Sequence, residues 1–349
     1  MQLKMLSKIS KCLSWWKSAK RSMLEDFEEF LQEGVSEMQW SEGTVRRWKS
    51  FWQHLLRFIE WCEAKDEGKD ELAYTDLDER TLSSFVQFLS TECGFRNSTV
   101  AKESKMLLWF LRWADRKGYV HVRDYAKFRP KLKSVRKTVV FLTTEELMRL
   151  FNLEIDPSIP QYAQMSLTRD IFCFCSFTSL RFSDAAKLKA SNVQGNLLIL
   201  TTQKTNDTLS IDINPYARRI LQKYLSAGTR DATVFPHIAM STVNIHIKQL
   251  GRMCGIDAPL TRVWFCGRKR IEETLPKWKC LSTHAARRTF ICAALSSGVN
   301  AETVMKWTGH SSYKSMKPYI DITDLDKARA MEKVFGKKNL PGDPGRLNI

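Results

Sequence analysis

The sequence predicts a mainly α-helical protein with a small β-hairpin or sheet, divided into two domains. Apolar side chains recur at helical spacing along most of the chain. A run with five basic residues in nine, RPKLKSVRK at 129–137, interrupts that pattern and is typical of an extended linker. Two short β-type runs, 197–202 and 208–213, flank a polar turn and predict a hairpin. With 349 residues, the chain is long enough for about two domains of ~150 residues each.

Five segments follow from these observations. We expect a basic amphipathic helix or arm at 1–21, a helical bundle at 22–127, a basic linker at 128–142, a second domain at 143–336 and a loose tail at 337–349.

Four amphipathic helices make up the predicted bundle. Their buried stripes are Leu24, Phe27, Phe30 and Leu31; Trp48, Trp52, Leu55, Leu56 and Ile59; Leu82, Phe85, Phe88 and Leu89; and Leu107, Phe110 and Leu111. Asn97 or Ser98 is the expected N-cap of the fourth helix, and Gly118 its stop. Eight of the eleven tryptophans precede residue 114, and their spacing among leucines favours a core role over base stacking.

The second domain begins with a capping box, in which Thr143 and Glu146 open a helix. A buried helix at about 166–180 leads to Arg181, and Ser183 is the expected N-cap of the next helix. After the hairpin, helices are predicted at 215–226 and 241–253. A turn-rich basic segment follows them, with Arg262, Arg268, Lys269, Arg270, Lys277 and Lys279. From His284 to Tyr319 the pattern is helix, turn, helix, turn and short helix, and a further helix is predicted at 322–336.

Charge and composition restrict the classes of function. The formal net charge of +17 is spread along the chain and points to a polyanionic partner, nucleic acid before membrane, although a merely basic soluble surface stays open. A 43% hydrophobic content argues against general disorder, and no apolar run approaches the ~18 residues of a spanning helix. Nine cysteines without a Cys-x-x-Cys motif argue against a zinc site and favour free thiols in the cytoplasm.

Exposed basic side chains are the candidates for contact with a phosphate backbone, because such charges position a protein without reading sequence. The candidates are Arg46, Arg47, Lys102, Lys105, Lys131 and Lys133.

The residues that could carry chemistry form an ordered set rather than one motif. A His-x-x-Arg pair alone arises by chance about as often as not in a chain of this composition. The whole set is more informative: an arginine at a helix junction, a lysine in a hairpin, His-x-x-Arg on a helix, Gly-His on a turn and a tyrosine nine residues later. The members are Arg181, Lys204, His284, Arg287, His310 and Tyr319.

In this order the set resembles the tyrosine recombinase family, also called phage-type integrases. The matching stretches are TSLRFSD with Arg181 and Asp184, TTQKT with Lys204, LPKWKCLSTHAARRTF with His284 and Arg287, TGHSS with His310, and MKPYIDI with Tyr319. The resemblance implies a core-binding domain at 22–127 and a catalytic domain at 143–336, and LPKWKCLSTHAARRTF and MKPYIDI look especially like integrases of mobile elements from Bacteroides-type bacteria. Tyr313 is off the family's spacing, so a structural role is expected for it.

The same residues suit attack on a phosphodiester. Two guanidiniums, those of Arg181 and Arg287, can hold the non-bridging oxygens. Tyr319 would attack, His284 would take its proton and His310 would donate to a phosphate oxygen. Lys204 would protonate the departing 5′ oxygen, so no metal or other cofactor is required. A 3′-phosphotyrosine conserves the bond energy for rejoining.

The residues leave three activities open: site-specific recombination that integrates, excises or inverts DNA, relaxation by a type IB topoisomerase, and DNA binding without catalysis. The resemblance favours the first activity, and it implies a homotetramer acting on double-stranded DNA. The expected location is the cytoplasm, at the bacterial nucleoid when the protein is bound to DNA. DNA-bending accessory proteins are further candidate partners. No membrane partner is expected.

Overall fold

The computed structural model describes residues 23–64, 73–120, 124–202, 208–225 and 230–320. The predicted N-terminal helix or arm at 1–21, Lys204, the helix at 322–336 and the tail at 337–349 lie outside the described residues. Two compact units account for the rest. The first contains the described residues up to Lys137 together with Val263–Glu272, and the second contains Thr138–Arg262 and the described residues from Glu273 onward.

The first unit is a four-helix bundle with an aromatic core. Its helices are α1 (Met23–Ser36), α2 (Glu42–Glu63), α3 (Glu79–Thr91) and α4 (Asn97–Arg116). Each helix turns one apolar stripe inward, as the 3.6-residue period requires. Phe30, Trp48 and Phe110 are buried in a network of edge and stacked ring contacts, which confirms the core role expected of most tryptophans. Among the tryptophans that the structure describes in this unit, Trp109 is the exposed one, with 44% of its surface accessible.

Asn97 is not an N-cap, contrary to the prediction. Arg96 holds the N-cap position of α4, and Asn97 is the first helical residue, with only 4% of its surface exposed. Its Nδ2 donates to the carbonyls of Lys133 (3.0 Å) and Gly267 (2.9 Å), while its Oδ1 accepts from the Gly267 amide at 2.8 Å. The side chain is therefore committed to distant segments of the first unit, which local sequence could not indicate.

The second unit is built around α6 (Tyr162–Thr178). From Met165 onward its side chains are buried or half-buried on every face, and α5 (Thr144–Phe151), α8 (Pro215–Tyr224), α9 (Met240–Met253) and α10 (Thr283–Ser296) pack against it. The predicted capping box is confirmed, since Thr143 Oγ1 accepts from the Glu146 amide and Glu146 Oε2 from the Thr143 amide. The helix α7 (Phe182–Ala185) begins after Arg181, so the prediction that Ser183 caps it is wrong.

A three-stranded antiparallel sheet contains the predicted hairpin. Strand β2 (Leu197–Thr201) pairs with β3 (Thr208–Asp212) in the register Leu198 to Ile211 and Leu200 to Leu209, and β1 (Val193–Gln194) extends the other edge. The buried side chains alternate along both strands, as expected for a sheet with one covered face.

The basic segment predicted to be turn-rich is instead a second hairpin. Strands β4 (Pro259–Cys266) and β5 (Lys269–Pro276) form a two-stranded sheet. Charged residues obscure its alternation, because they pair across the strands, as Arg262 does with Glu273 at 2.6 Å. In the first unit, the tip of this hairpin is held by the Cys266 thiol, which donates to the Ser90 and Phe95 carbonyls, and by Trp264, which stacks under the Arg96 guanidinium at 3.9 Å.

Two last helices, α11 (Ala301–Thr308) and α12 (Tyr313–Ile320), pack against α10. The three share a small separate core that includes Ile291, Val304, Met316 and Tyr319. The predicted helix, turn, helix, turn and short helix from His284 to Tyr319 is confirmed.

We predict that Asn97→Ala frees the hairpin tip. The change leaves the Gly267 amide and two carbonyls without a partner, at about 1–3 kcal/mol for each buried group. Hydrogen exchange of the 263–268 peptide, followed by mass spectrometry, should accelerate by about tenfold or more. Ser98→Ala, at the exposed neighbouring position, is the control and should exchange at the wild-type rate. Unchanged protection in Asn97→Ala would contradict this account.

Candidate active site

Arg181 lies at a sharp turn after the central helix. Helix α6 ends at Thr178, and its C-cap Ser179 has a φ of 64°, in the left-handed region. The turn brings Arg181 to the N-terminus of α7, which carries the buried Asp184. The Nη1 atom of Arg181 is buried and finds no hydrogen-bond partner among the described residues. Arg181 therefore keeps a donor for an incoming oxygen.

Arg287 is the most constrained side chain of the group. Only 2% of it is exposed, and its Nη1 donates to the Ser179 carbonyl at 2.9 Å while its Nη2 donates to the Thr308 carbonyl. Burial, and then the charge of Arg181, lower the pKa of Arg287 to about 10. The guanidinium therefore stays charged at neutral pH beside a second guanidinium. Two like charges held together in a poorly solvated place favour an anion.

His310 follows a turn that only glycine fits well. Gly309 ends α11 with a φ of 59°, and a Cβ atom there would lie 3.0 Å from the Leu209 side chain on β3. The turn sets His310 Nδ1 2.6 Å from Thr308 Oγ1. Burial lowers the pKa of His310 to about 4, and the charges of Arg287, Arg181 and His284 contribute to that shift. The imidazole is neutral at pH 7.

The two candidate tyrosines differ clearly. Tyr319 is 9% exposed, packs in the small core of α10, α11 and α12, and lies close enough to Arg287 for its charge to affect that residue's pKa. Tyr313, at the start of α12, is 58% exposed. His284 is exposed in the first turn of α10, on the helix that carries Arg287.

The structure therefore brings together five of the six predicted residues from three segments far apart in sequence. The electrostatic couplings join Arg287 to Arg181 and Tyr319, and His310 to both arginines and His284.

Sequence reasoning missed the two residues that hold this group in place. Ser179 offers its carbonyl to Arg287 and donates its hydroxyl to the Trp307 carbonyl at 3.0 Å. Thr308 contacts both Arg287, through its carbonyl, and His310, through its hydroxyl. Ser179 leaves no sequence signal, because its backbone carries the contact. Thr308 has only its position beside the Gly-His pair.

A basic cavity of 710 Å³ lies in the first unit. It is bordered by α4 and the segment 129–134, and no carboxylate is among its described lining residues. Lys105 and Lys133, both predicted from sequence, line it together with Arg112, Arg129 and the exposed Trp109. Arg46, Arg47, Lys102 and Lys131 are exposed but do not line this cavity.

Arg112 and Arg129 are absent from the predicted set. Arg112 was detectable, because it stands seven residues after Lys105 and therefore on the same face of α4. Arg129 gave no such signal, since the segment that carries it has no periodicity.

Comparison with known proteins identifies the family. The family model described as "Phage integrase family" matches residues 140–325, and the model described as "Phage integrase SAM-like domain" matches residues 22–130. The chain belongs to the phage integrase family. The expectation of a tyrosine-type, site-specific recombinase is thereby confirmed, whereas the resemblance to Bacteroides-type integrases stays a prediction.

Relatives of this integrase include a tyrosine recombinase XerC of Treponema denticola, 23% identical over 86% of this chain and 95% of the relative. Another XerC, of Rhodospirillum centenum, is 22% identical over 81% of this chain and 78% of the relative. Similar solved structures include a lambda integrase dimer bound to a COC′ core site, with a TM-score of 0.62, 14% identity, and coverage of 86% of this chain and 96% of that one. The Tn1549 transposon integrase in complex with circular intermediate DNA has a TM-score of 0.61 at 15% identity, covering 87% and 98%.

The fold of this integrase is that of the two-domain recombinases, which confirms the predicted class. None of its described helices is long and apolar enough to cross a membrane.

The left-handed conformation of Ser179 gives a stability prediction. Ser179→Gly and Ser179→Ala both remove the hydroxyl bond to Trp307, but only alanine retains the cost of a Cβ atom at positive φ. We expect the glycine variant to be more stable to urea unfolding by about 1 kcal/mol. Ser297, which caps α10 at a φ of −80°, is the matched control, and its glycine variant should gain nothing over alanine. Equal stabilities at position 179 would refute the assigned strain.

Proposed function

We propose that this integrase cleaves and rejoins double-stranded DNA through Tyr319, which forms a covalent 3′-phosphotyrosine. Arg181 and Arg287 hold the non-bridging oxygens of the scissile phosphate, and Asp184 supports them. Lys204 protonates the departing 5′ oxygen. His284 accepts the tyrosine proton, and His310 donates to a phosphate oxygen.

The pair of arginines carries the proposal. Two guanidiniums lie close enough for one to lower the pKa of the other. The carbonyls of Ser179 and Thr308 fix that of Arg287, and Arg181 Nη1 has no hydrogen-bond partner in the described part of the chain. This arrangement destabilises the protein unless it serves a ligand of opposite charge, and planar guanidiniums match phosphate oxygens in geometry. The tyrosine near Arg287 is the side chain that could attack such a phosphate.

The basic cavity of the first unit supports a second, non-catalytic contact with DNA. Four cations line the cavity, none of its described lining residues is a carboxylate, and Trp109 among them is 44% exposed. Such a surface suits the sugar-phosphate backbone, and we add Arg112 and Arg129 to the proposed DNA-binding residues.

The assembly proposed for the reaction is a homotetramer on two DNA sites. A lambda integrase tetramer bound to a Holliday junction is among the similar structures, with a TM-score of 0.59. DNA-bending accessory proteins and action at the bacterial nucleoid, in the cytoplasm, remain parts of the proposal.

A covalent-trapping experiment tests the nucleophile. Wild-type protein would be incubated with a pool of nicked duplexes of randomised sequence, and SDS-resistant protein–DNA adducts would be counted and sequenced. Tyr319→Phe should reduce the adduct by at least about a thousandfold, because no other hydroxyl replaces the phenol. Tyr313→Phe is the matched control and should form wild-type amounts.

Filter binding of the same pool should give Tyr319→Phe the wild-type affinity. An adduct that persists in Tyr319→Phe, or that disappears in Tyr313→Phe, would overturn the assignment of the nucleophile. The sequences recovered from the wild-type adducts would give the target site.

Salt titration tests the cavity. Changing Lys105 and Arg112 to glutamine together should reduce the slope of log affinity against log salt by about 0.9 for each phosphate that is no longer neutralised, or about 1.8 in total. Lys49→Gln is the control, because Lys49 is exposed on the same bundle but does not line the cavity. A wild-type slope in the double variant would remove the cavity from the DNA interface.

A further inference from the structure

The hydroxyl of Thr308 has more partners than hydrogens. Its Oγ1 lies 2.7 Å from the Val304 carbonyl, 3.3 Å from the Met305 carbonyl and 2.6 Å from His310 Nδ1. A threonine hydroxyl has one hydrogen to donate and two lone pairs to accept with. Both carbonyls can only accept, so His310 is the only one of the three partners able to supply a hydrogen of its own.

Only one arrangement satisfies both short contacts. If the hydroxyl donates to Val304, His310 Nδ1 must carry a hydrogen and donate it to Oγ1. If the hydroxyl donated to Nδ1 instead, Oγ1 would face the Val304 carbonyl at 2.7 Å with no hydrogen between two oxygens. Thr308 is buried, with 0% of its surface exposed, so water does not relieve that repulsion.

The surroundings of His310 discourage a second proton. The elements packed against α11 are α10, α12 and β3. On α10, the charges of Arg287 and His284 act on His310, and the guanidinium of Arg181, from the segment before α7, acts on it as well. On the side of β3 the neighbour of the turn is the apolar Leu209, and α12 carries Tyr319 near Arg287. The pKa of His310 is accordingly lowered to about 4 by burial and these charges.

We propose that Thr308 is a positioning residue that holds His310 in the neutral Nδ1–H form, so that Nε2 carries no proton until a phosphate arrives. This inference rests on the proposed function, because it defines how His310 acts there. A phosphodiester beside the two arginines offsets the charges that oppose protonation. His310 then takes one proton from the medium onto Nε2, and the resulting imidazolium donates that N–H to a phosphate oxygen. Binding of DNA is thereby coupled to uptake of one proton per site.

The consequence for pH dependence follows from the sign of this coupling. DNA binding raises the pKa of His310, and the donor exists only below that raised pKa. Single-turnover cleavage should fall tenfold for each pH unit above it. If the ring were free to adopt the Nε2–H form, the neutral imidazole could donate without the extra proton, and this alkaline limb would be absent.

Two variants of Thr308 separate these cases. Thr308→Val has nearly the same shape but no hydroxyl, whereas Thr308→Ser keeps the oxygen. Both keep the backbone carbonyl that binds Arg287. Thr289→Val is the matched control, since Thr289 is a buried threonine whose hydroxyl also donates to a carbonyl four residues earlier, at Ala285, but does not contact His310.

The first measurement needs no DNA. Nitrogen-15 NMR of protein labelled in its six histidines, with His310→Gln to assign the signal, reports which ring nitrogen is protonated. Wild type, Thr308→Ser and Thr289→Val should show a protonated Nδ1 at position 310, and Thr308→Val should change to protonated Nε2. An Nε2–H ring in the wild type would overturn the inference and leave the proposed function intact.

The second measurement uses the nicked duplexes recovered by covalent trapping. The cleavage rate of wild type, Thr308→Ser and Thr289→Val should show the tenfold alkaline fall, and Thr308→Val should not show it. The same profile in Thr308→Val as in the wild type would contradict the coupling. Failure of the wild type to form any adduct would instead refute the proposed function, whatever the NMR result.

Discussion

The buried guanidinium of Arg287 is the interaction on which the second unit depends. It donates hydrogen bonds to the carbonyls of Ser179 and Thr308, which come from the ends of α6 and α11. One side chain thus fixes three segments, one of which lies more than a hundred residues away in sequence. Ser179 lies two residues before Arg181, and Thr308 lies two residues before His310. By binding these two carbonyls, Arg287 therefore positions Arg181 and His310 as well as itself. The packing of α10 on the central helix α6 makes this geometry possible.

The same arrangement explains why the site is costly to fold. Burial and the neighbouring Arg181 both oppose the charge of Arg287, and both arginines oppose a charge on His310. A protein selected for stability alone would replace such a cluster with apolar side chains. Stability is recovered elsewhere, in the large apolar core around α6 and the aromatic core of the bundle. The electrostatic strain is therefore local, and an anionic ligand bound at the two arginines would relieve it.

Sequence patterns predicted most of the fold because most elements have one buried face. The bundle helices, the capping box at Thr143 and the strand pair β2–β3 all follow from local periodicity and local hydrogen bonding. The failures have a different cause. Asparagine is a residue type typical of an N-cap, but the side chain of Asn97 donates hydrogen bonds to the carbonyls of Lys133 and Gly267. In the hairpin β4–β5, charged residues that pair across the strands obscure the alternation of apolar and polar side chains. At Asn97, contacts distant in sequence override the local preference, whereas in the hairpin the cross-strand charge pairs replace the usual alternation of apolar and polar residues.

The candidate site divides in the same way. Side chains that would touch the phosphate are chemically distinctive, so Arg181, Arg287, His310 and Tyr319 could be found from residue type and order. Ser179 and Thr308 act through a backbone carbonyl, a left-handed turn and a single hydroxyl, none of which is specific to a residue type. Their importance arises only when the fold brings them to Arg287 and His310. The Thr308 hydroxyl donates its one hydrogen to the Val304 carbonyl, so in its hydrogen bond with His310 it can only accept. In the tautomer proposed for His310, a helical i to i−4 bond of a kind common in any helix determines which ring nitrogen carries the hydrogen.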